Sequence, residues 1–210
     1  MFKISDFKTN INQKGVVKNN KYIATVGMPG YLSGKWSGFD RTLRFRCEAV
    51  QMPGLQFASA DGPPRLGYGP IERHPYNVNY EDVSLSFLLD AETGIHNFFY
   101  DWCNSIFNFK GSGGKGAKDS NGMAFNAFSY EVGYKDSYAA NINIDVYHDN
   151  GSHLMKATLY EAFPMAFPTQ ALAWGEGDLM RLTIPFTYMD FKVDYDSRPS
   201  SDTPYEPPQA

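Results

Sequence analysis

The sequence predicts an all-β domain that carries one amphipathic helix. The prediction rests on strict alternation of apolar and polar residues in several segments, one stretch of helical periodicity, and a composition rich in aromatic residues and glycine. Aromatic residues make up 16% of the 210 residues, and the 19 glycines supply turns. With 42% hydrophobic residues, the chain can bury one large core. We expect a single domain over residues 1–195, followed by a Pro/Ser-rich tail without ordered structure, residues 196–210.

Alternation with a period of two identifies the strands, each with one apolar and one wet face, as in antiparallel sheets. A short strand is expected at YIATVG. The segment TLRFRCEAV, residues 42–50, should be a strand with these residues on its apolar face: Leu43, Phe45, Cys47 and Ala49. Residues 82–90 should form the next strand, and residues 141–148 and 154–160 should pair around the turn DNGS. One long strand is expected over residues 178–195.

The period changes to that of a helix after Asp90. Residues 91–107 place a stripe of apolar side chains at helical spacing, with Asp90 or Thr93 as the N-cap. The stripe consists of Ile95, Phe98, Phe99, Trp102, Cys103 and Ile106. This helix should pack on the sheet.

Two long segments lack periodicity. Residues 51–77 hold five of the 13 prolines, and a segment of this length is either an extended arm or is held by something else. Residues 110–122, KGSGGKGAKDSNG, should be a flexible loop. It is not a phosphate-binding loop, because it lacks the GK[ST] ending and follows a helix.

The segment EAFPMAF, residues 161–167, is apolar yet contains Pro164. Proline donates no hydrogen bond to a strand ladder, so it is confined to strand ends, edges and bulges. The apolar side chains of this segment must be covered, either by the core of the domain or by another subunit. Together with the long 51–77 segment, it favours buried contact between subunits over ordinary loops on a sandwich core.

No pattern in the sequence indicates an enzyme. There is no G-x-S-x-G or H-E-x-x-H motif, and we expect no catalytic residue, cofactor or metal. His148 and His153 lie near Asp145 and Asp149 in a turn that is better interpreted as solvated than as a metal site. Cys47 and Cys103 are expected to be apolar packing residues rather than a disulfide.

Charge and hydropathy set further bounds. The net charge of −4 opposes wrapping by nucleic acid, which needs a basic face. No apolar run is long enough for a signal peptide or a membrane span, so the protein should be made and kept in a cytoplasm.

Five blocks of sequence, in order, carry a resemblance to a known family. They are NNKYIATV, LRFRCEAVQMPG, YEDVSLSFLLDAETGIHNFFYDWCNSI, INIDVYHDNGSHLMKATLYEAFPMAF and LAWGEGDLMRLTIPFTYMDF. Together they span most of residues 19–191. The order of motifs resembles the tail tube proteins of contractile-tailed bacteriophages and the related tube initiator of their baseplates. The chain departs from the simplest members in its 51–77 segment and its C-terminal tail.

The resemblance implies a fold of two packed antiparallel sheets, partly closed as a barrel, with a helix on the side. It implies hexameric rings that stack into a hollow tube, with the inner sheets joined edge to edge. The expected intersubunit contacts are Met52, Pro53, Leu55, Phe57, Leu66, Tyr68, Phe163, Pro164, Met165 and Phe167. The expected lumen-facing residues are Asn141, Asn143 and Asp145.

The implied partners are further copies of the chain, the tail sheath, the baseplate, the tape measure protein, and genomic DNA that passes without specific binding. The implied location is the virion tail, after synthesis in the host cytoplasm, and no membrane insertion is expected. Tube body, baseplate initiator and the tube of a related contractile injection system stay open. A carbohydrate-binding β-sandwich, suggested by the many Tyr and Trp residues, is a weaker alternative, and a hydrolase is the weakest.

Overall fold

The computed structural model describes residues 3–4, 8–9, 16–62, 71–107, 132–175 and 177–196. Within residues 16–62, 71–107, 132–175 and 177–196 the chain forms nine strands and three helices. The strands are β1 Tyr22–Val26, β2 Cys47–Val50, β3 Leu55–Gly62, β4 Glu72–Tyr80, β5 Val83–Leu88, β6 Ala140–Tyr147, β7 His153–Pro164, β8 Arg181–Thr187 and β9 Asp190–Tyr195. The helices are α1 Asp40–Arg46, α2 Gly94–Ile106 and α3 Lys135–Tyr138. The 110–122 loop and the tail after Asp196 lie outside the described residues.

Two antiparallel layers share strand β7. The first layer has the order β1-β6-β7-β9, and the second has the order β2-β5-β8 and joins the last residues of β7. The junction is the pairing of Phe163 with Thr187 and of Pro164 with Phe186. The two packed antiparallel sheets expected from the resemblance are therefore present, and they are continuous.

The path of paired strands runs from β1 to β2, and these two end strands do not pair. A single side-chain hydrogen bond links them, from the Tyr22 hydroxyl on β1 to the Glu48 carbonyl on β2. The described strands thus form an open, curled sheet rather than a hydrogen-bonded closed barrel.

Strand β7 changes direction at a bulge just before it joins the second layer. Ala140 pairs with Ala162 but Ile142 pairs with Leu159, so Asn141 lies opposite two residues. One of them, Glu161, has φ +50°, an uncommon conformation for a residue other than glycine. The Asn141 side-chain oxygen accepts a hydrogen bond from the Glu161 N–H at 3.2 Å, which stabilises the bend.

The core lies between the two layers and under helix α2. The alternation predicted for residues 82–90 is confirmed, because Val83, Leu85 and Phe87 are buried. In α2 the stripe is also confirmed, with Ile95, Phe98, Phe99 and Trp102 fully buried and Cys103 and Ile106 half-buried. The Trp102 indole N–H donates to the Tyr138 carbonyl at 2.8 Å, so its polar atom is satisfied inside the core.

The start of α2 separates the two N-cap candidates. Thr93 occupies the N-cap position with φ +58°, and its side chain makes no capping hydrogen bond. The Asp90 carboxylate accepts from the N–H groups of Gly94, at 3.0 Å, and Ile95, at 3.1 Å. Asp90 therefore caps the helix.

The strand predicted for residues 42–50 is wrong over its first half. Residues 40–46 are helix α1, and only Cys47–Val50 is strand. Leu43 is buried as expected, whereas Phe45 is exposed. The segment before the helix packs Trp36 and Phe39 on Phe98 of α2, and this tertiary contact outweighs a short alternating pattern.

The single long strand predicted for residues 178–195 is two strands in different layers. The chain leaves the second layer after Thr187 and enters the first at Asp190. The Met189 N–H donates to the Tyr160 carbonyl at 3.0 Å between them. The alternation shifts by one residue at this corner, from Leu182, Ile184 and Phe186 in β8 to Phe191 and Val193 in β9, and the prediction of one strand overlooked this shift. The prediction of one helix was also too low, since α1 and α3 are short additional helices.

Candidate functional site

The most exposed part of the described structure is a hairpin formed by β3 and β4. Its strands pair from Leu55 with Tyr80 to Gly62 with Glu72, and no residue of either strand is buried. The sequence analysis did not predict strands there. Because the hairpin carries exposed Leu55 and Phe57, it presents apolar surface away from the core.

The base of the hairpin is fixed to the domain. Tyr80 packs on Tyr188 and Phe191, with ring centroids 6.0 Å and 5.6 Å away. The Tyr188 hydroxyl donates to the Glu81 carbonyl at 2.8 Å, and burial raises the pKa of Tyr188 to about 12. The hairpin therefore projects from a rigid base.

The residues predicted for intersubunit contact lie in two places. Met52 is exposed and Pro53 is half-buried just after β2, and Leu55 and Phe57 lie on the hairpin. Leu66 and Tyr68 fall outside the described residues. The other four are Phe163 and Pro164 at the end of β7, and Met165 and Phe167 just after it.

Within this chain, the EAFPMAF segment is partly covered. Pro164 is buried as the last residue of β7, and Phe163 packs against Tyr138 at 5.3 Å. Phe167 contacts the His96 ring of α2 at 4.9 Å. Met165 is exposed, although its N–H donates to the Pro185 carbonyl at 2.8 Å. The apolar surface left for a neighbour is thus mainly Met165.

The outer face of the β1-β6-β7-β9 layer is polar. Asn141, Asn143 and Asp145 all point away from the core, because Ala140, Ile142, Ile144 and Val146 are buried. The register places Lys156 and Asp194 beside Asp145, and Thr158 and Lys192 beside Asn143. The residues that share this face are Ile23, Thr25, Asn141, Asn143, Asp145, Lys156, Thr158, Tyr160, Asp190, Lys192 and Asp194.

This face is close to neutral. Its three aspartates and two lysines give a net charge of −1. It is therefore a mixed polar surface rather than an acidic one.

Both edges of this layer have only one ladder partner among the described strands. β1 pairs with β6, and β9 pairs with β7. Unpaired N–H and C=O groups on such edges are templates for pairing with another chain.

One surface feature was missed by the sequence analysis. The loop between β7 and β8 exposes several large apolar side chains, and Trp174 is fully exposed. The exposed residues are Leu172, Trp174, Leu179 and Met180. A tryptophan followed by GEGD, outside any periodic segment, is the signal that could have marked it.

The features that suggested chemistry have structural explanations. The His153 ring bridges Asp145, at 3.2 Å, and Asp196, at 2.5 Å. Cys47 and Cys103 are free, and burial raises the pKa of Cys47 to about 12 and of Cys103 to about 11. Within the described residues, no group of three His, Cys, Asp or Glu side chains is arranged to hold a metal ion.

The described helices include none that is both long and apolar enough to cross a bilayer.

The family model for phage tail tube proteins matches residues 3–194. The chain belongs to the phage tail tube protein family. This membership confirms the resemblance stated from the sequence, and with it the prediction of a structural, non-enzymatic protein. No curated protein sequence matches the chain.

Solved structures share the tail tube fold at low sequence identity. A chain of the anti-feeding prophage baseplate superposes with a TM-score of 0.58 at 9% identity, covering 87% of this chain and 97% of that one. A chain of the PVC extracellular contractile injection system, in its extended sheath–tube complex, gives 0.53 at 14% identity, with 93% and 99% covered. A chain of the anti-feeding prophage tube-terminating cap gives 0.56 at 12%, with 87% and 93% covered. At these identities the likeness concerns the fold.

Proposed function

We propose that this tail tube protein is the subunit of the inner tail tube of a contractile-tailed phage. Hexameric rings of the chain stack into a hollow conduit through which genomic DNA passes without specific binding. The observation that carries the proposal is the β1-β6-β7-β9 layer, which has a polar outer face and one free edge at each side. Closure of such layers into a ring pairs β9 of one copy with β1 of the next and removes both edges.

The remaining contacts follow from this ring. The β3–β4 hairpin reaches a neighbouring copy, which covers the exposed Leu55 and Phe57 of the hairpin. The outside of the completed ring, opposite the lumen, meets the sheath. The two ends of the ring meet the baseplate, the tape measure protein and further rings. The assembly belongs to the virion tail and is built in the host cytoplasm.

A second candidate is the baseplate ring that initiates the tube. It is favoured by a chain in the anti-feeding prophage baseplate, which superposes with this fold at a TM-score of 0.58. An initiator presents one end to a different partner, whereas a tube subunit has two mutually compatible ends. A related contractile injection system would use the same subunit design, so the phage assignment depends on the particle that contains the chain.

Electron microscopy of the purified chain over a concentration series tests the proposal. Long hollow tubes are expected. Single rings that do not stack at any concentration would favour the initiator. Monomers that stay monomeric when purified baseplates are added as seeds would contradict both candidates.

We further propose that the polar face of the β1-β6-β7-β9 layer, with Asn141, Asn143 and Asp145, lines the lumen of the tube. This assignment needs its own test. Asp145→Lys would add charge, but it would also remove the acceptor for His153 and place two lysines side by side, since Lys156 lies opposite. Thr25 shares the face and is half-buried on β1. We therefore compare Thr25→Lys with Thr25→Glu. Both variants should assemble, and the lysine should slow genome ejection relative to the glutamate because it attracts phosphate.

Equal ejection rates for the two variants, measured by dye uptake into released DNA, would contradict the assignment of this face to the lumen.

A further inference from the structure

The two edges of the β1-β6-β7-β9 layer carry opposite charge at one end. Just before β1, Lys18 and Lys21 both contact Asp149, at 2.8 Å and 3.1 Å, which leaves one positive charge in excess. The charged residues on the β9 side of the same end are Asp145, Lys156, Lys192, Asp194 and Asp196. Three carboxylates there face two ammonium groups, so one negative charge is in excess while His153 is neutral. The two edges are therefore complementary in charge.

Both charged groups lie in one row across the layer. The Tyr147 N–H donates to the Lys21 carbonyl at 2.9 Å, and Tyr147 pairs with His153. The Asp196 N–H donates at 3.1 Å to the carbonyl of Leu154, the residue after His153. Copies that stand side by side in one orientation therefore bring the basic end of one edge to the acidic end of the next.

The backbone of the two edges is also compatible. The Gly27 N–H donates to the Asn141 carbonyl at 2.8 Å, so odd-numbered residues of β1 bond to β6. Even-numbered residues of β9 bond to β7, as the Asp196 N–H does to Leu154. The backbone groups that point to the free edges belong to residues whose side chains face the core, among them Ala24, Val26, Phe191 and Val193. Because β1 and β9 run in opposite directions, rotation about a ring axis brings them together as an antiparallel pair with one continuous polar face.

We propose that Lys21 of one copy forms an ion pair with Asp194 of the next copy, at the seam where β1 meets β9. The proposal rests on the tube function proposed above and specifies the register of its ring contact. A second copy of the chain is the occupant of each edge, because it supplies the opposite charge, the antiparallel direction and the matching polar face.

A closed ring requires a stagger at this seam. Within one copy, a straight row crosses the four strands at Ile23, Asp145, Lys156 and Asp194. If Asp194 lay opposite Ile23 of the next copy, this row would close on itself and the strands would run parallel to the ring axis. Closed barrels instead have tilted strands and a staggered register. Because a slip by one residue would exchange the two faces, the smallest stagger is two residues.

Charge and strand length select the direction of the stagger. One direction places Asp194 opposite Lys21 and aligns residues 22–25 with residues 190–193, which gives four residue pairs within the strands. The other direction places Asp194 opposite the uncharged Thr25 and leaves three such pairs. The first register therefore has both the longer ladder and the ion pair.

The contact between Lys21 and Asp194 suits both side chains. The two residues would form a pair without mutual backbone hydrogen bonds, the kind in which antiparallel side chains lie closer. Lys21 has three N–H donors, and its contacts with Asp149, at 3.1 Å and 2.9 Å, use two of them. The Asp194 carboxylate contacts Lys192 at 2.8 Å and can accept further bonds. A second step of stagger would place Lys21 opposite Lys192, and like charges that face each other are destabilising.

Disulfide cross-linking tests the register. In the proposed seam, Ile23 lies opposite Lys192 of the next copy, whereas within one copy three strand spacings, at least about 14 Å, separate them. That distance is too long for a disulfide. Oxidation of Ile23→Cys combined with Lys192→Cys should give a ladder of linked chains up to the hexamer. Ile23→Cys combined with Asp194→Cys, which matches a seam without stagger, should give none, and the wild-type chain with its free Cys47 and Cys103 is the background control.

Charge reversal tests the ion pair. Lys21→Glu places two carboxylates together at every seam, and Asp194→Lys places two lysines together. Each variant alone should need an at least about tenfold higher concentration to form rings. In an equal mixture, alternating copies restore opposite charges at every seam, so rings should return near the wild-type concentration. Mixing repairs no contact within either chain, so this recovery reports the seam alone.

A control variant separates the seam from a general effect of charge. Arg44→Glu reverses an exposed charge on α1, away from both edges, and should form rings normally. Urea unfolding checks that each variant folds. The cross-linking result decides the register independently of the charge variants.

The outcomes separate this inference from the proposed function. Charge-reversal variants that form rings at the wild-type concentration, or a mixture no better than its components, would overturn the ion pair and leave the tube function standing. Rings that give a ladder only with Asp194→Cys, or with neither cysteine pair, would overturn the register. A wild-type chain that forms neither rings nor tubes, even with seeds, would overturn the tube function and this contact together.

Discussion

At the scale of single residues, His153 is a group whose charge depends on pH and which contacts Asp145 of the polar face. Hydrogen bonding to Asp196 raises its pKa above the usual 6.5. Burial opposes this by a smaller amount, and hydrogen bonding to Asp145 adds a still smaller increase. Because the folded-state pKa is the higher one, protonated His153 stabilises the fold. This contribution is fully present below about pH 6.5 and is lost as the pH rises through the folded-state pKa.

We expect His153→Ala to lower the free energy of unfolding more at roughly pH 5.5 than at roughly pH 8.5. Urea unfolding of the variant and the wild type at both values measures the difference. His148→Ala, on the other side of the same turn, is the control and should show less pH dependence. An equal loss at both values would mean that the two aspartates do not stabilise the imidazolium.

Asp90 gives a second residue-scale prediction. Burial raises its pKa, but hydrogen bonds from the N–H groups of Ile95 and Gly94 outweigh this, and the pKa is lowered overall. Asp90→Ala should cost about 1 kcal/mol of stability at neutral pH. The loss should shrink as the pH falls through the lowered folded-state pKa, because the protonated carboxyl caps less well.

Urea unfolding at several pH values measures the Asp90 effect. Thr93→Ala is the matched control, since the Thr93 side chain makes no capping bond. If Thr93→Ala cost more than Asp90→Ala, the assignment of the cap to Asp90 would be wrong.

At the scale of elements, helix α2 packs its aromatic face on the layer formed by β2, β5 and β8. Phe99 lies 5.1 Å from Phe87 of β5 and 6.2 Å from Phe186 of β8, measured between ring centroids. Trp102 lies 5.8 Å from Phe186. The helix is therefore part of the core rather than an addition to its surface.

Phe99→Ala should cost about 3–5 kcal/mol, because it removes a fully buried ring and leaves a cavity. That is a large part of a typical stability of about 5–15 kcal/mol. Asn97→Ala, on the exposed side of the same helix, should change stability by less than about 0.5 kcal/mol. Urea unfolding monitored by tryptophan fluorescence measures both, and similar losses would contradict this account of helix packing.

At the scale of the whole molecule, the β3–β4 hairpin and the domain have separate roles. The hairpin contacts the domain at its base through Tyr80, while its strands stay exposed. Replacing residues 57–78 by Asn-Gly keeps the pairs Leu55–Tyr80 and Gln56–Asn79. We expect this truncation to change the unfolding free energy by less than about 1 kcal/mol and to abolish assembly.

Unfolding curves and electron microscopy of the truncated chain give the two measurements. Phe57→Ser offers a milder test of the same surface, with Phe45→Ser as the control for loss of an exposed phenylalanine. Normal tubes from the truncated chain would exclude the hairpin from the contacts that assembly needs.

The sequence by itself determined the strands that bury one face and the helix that buries one stripe. Residues 83–88, 140–147 and 153–164 are strands, and residues 94–106 are a helix, close to their predicted ranges. These segments were predictable because the periodicity of burial is a local property of the chain. Pro164 was also correctly expected to be tolerated only at a strand end or bulge, since it lacks an N–H group.

Only the tertiary structure decided the features that depend on distant contacts. Packing of Phe39 and Trp36 on α2 accompanies helix at residues 40–46, where the local pattern favoured a strand. The corner at residues 188–189 is marked in the sequence only by a one-residue shift of the alternation, from Phe186 and Tyr188 to Phe191 and Val193. The pairing of β1, β6, β7 and β9 into one layer arises from strand order and direction. Periodicity carries no information about either, because it records which face of a strand is buried and not which strand lies beside it.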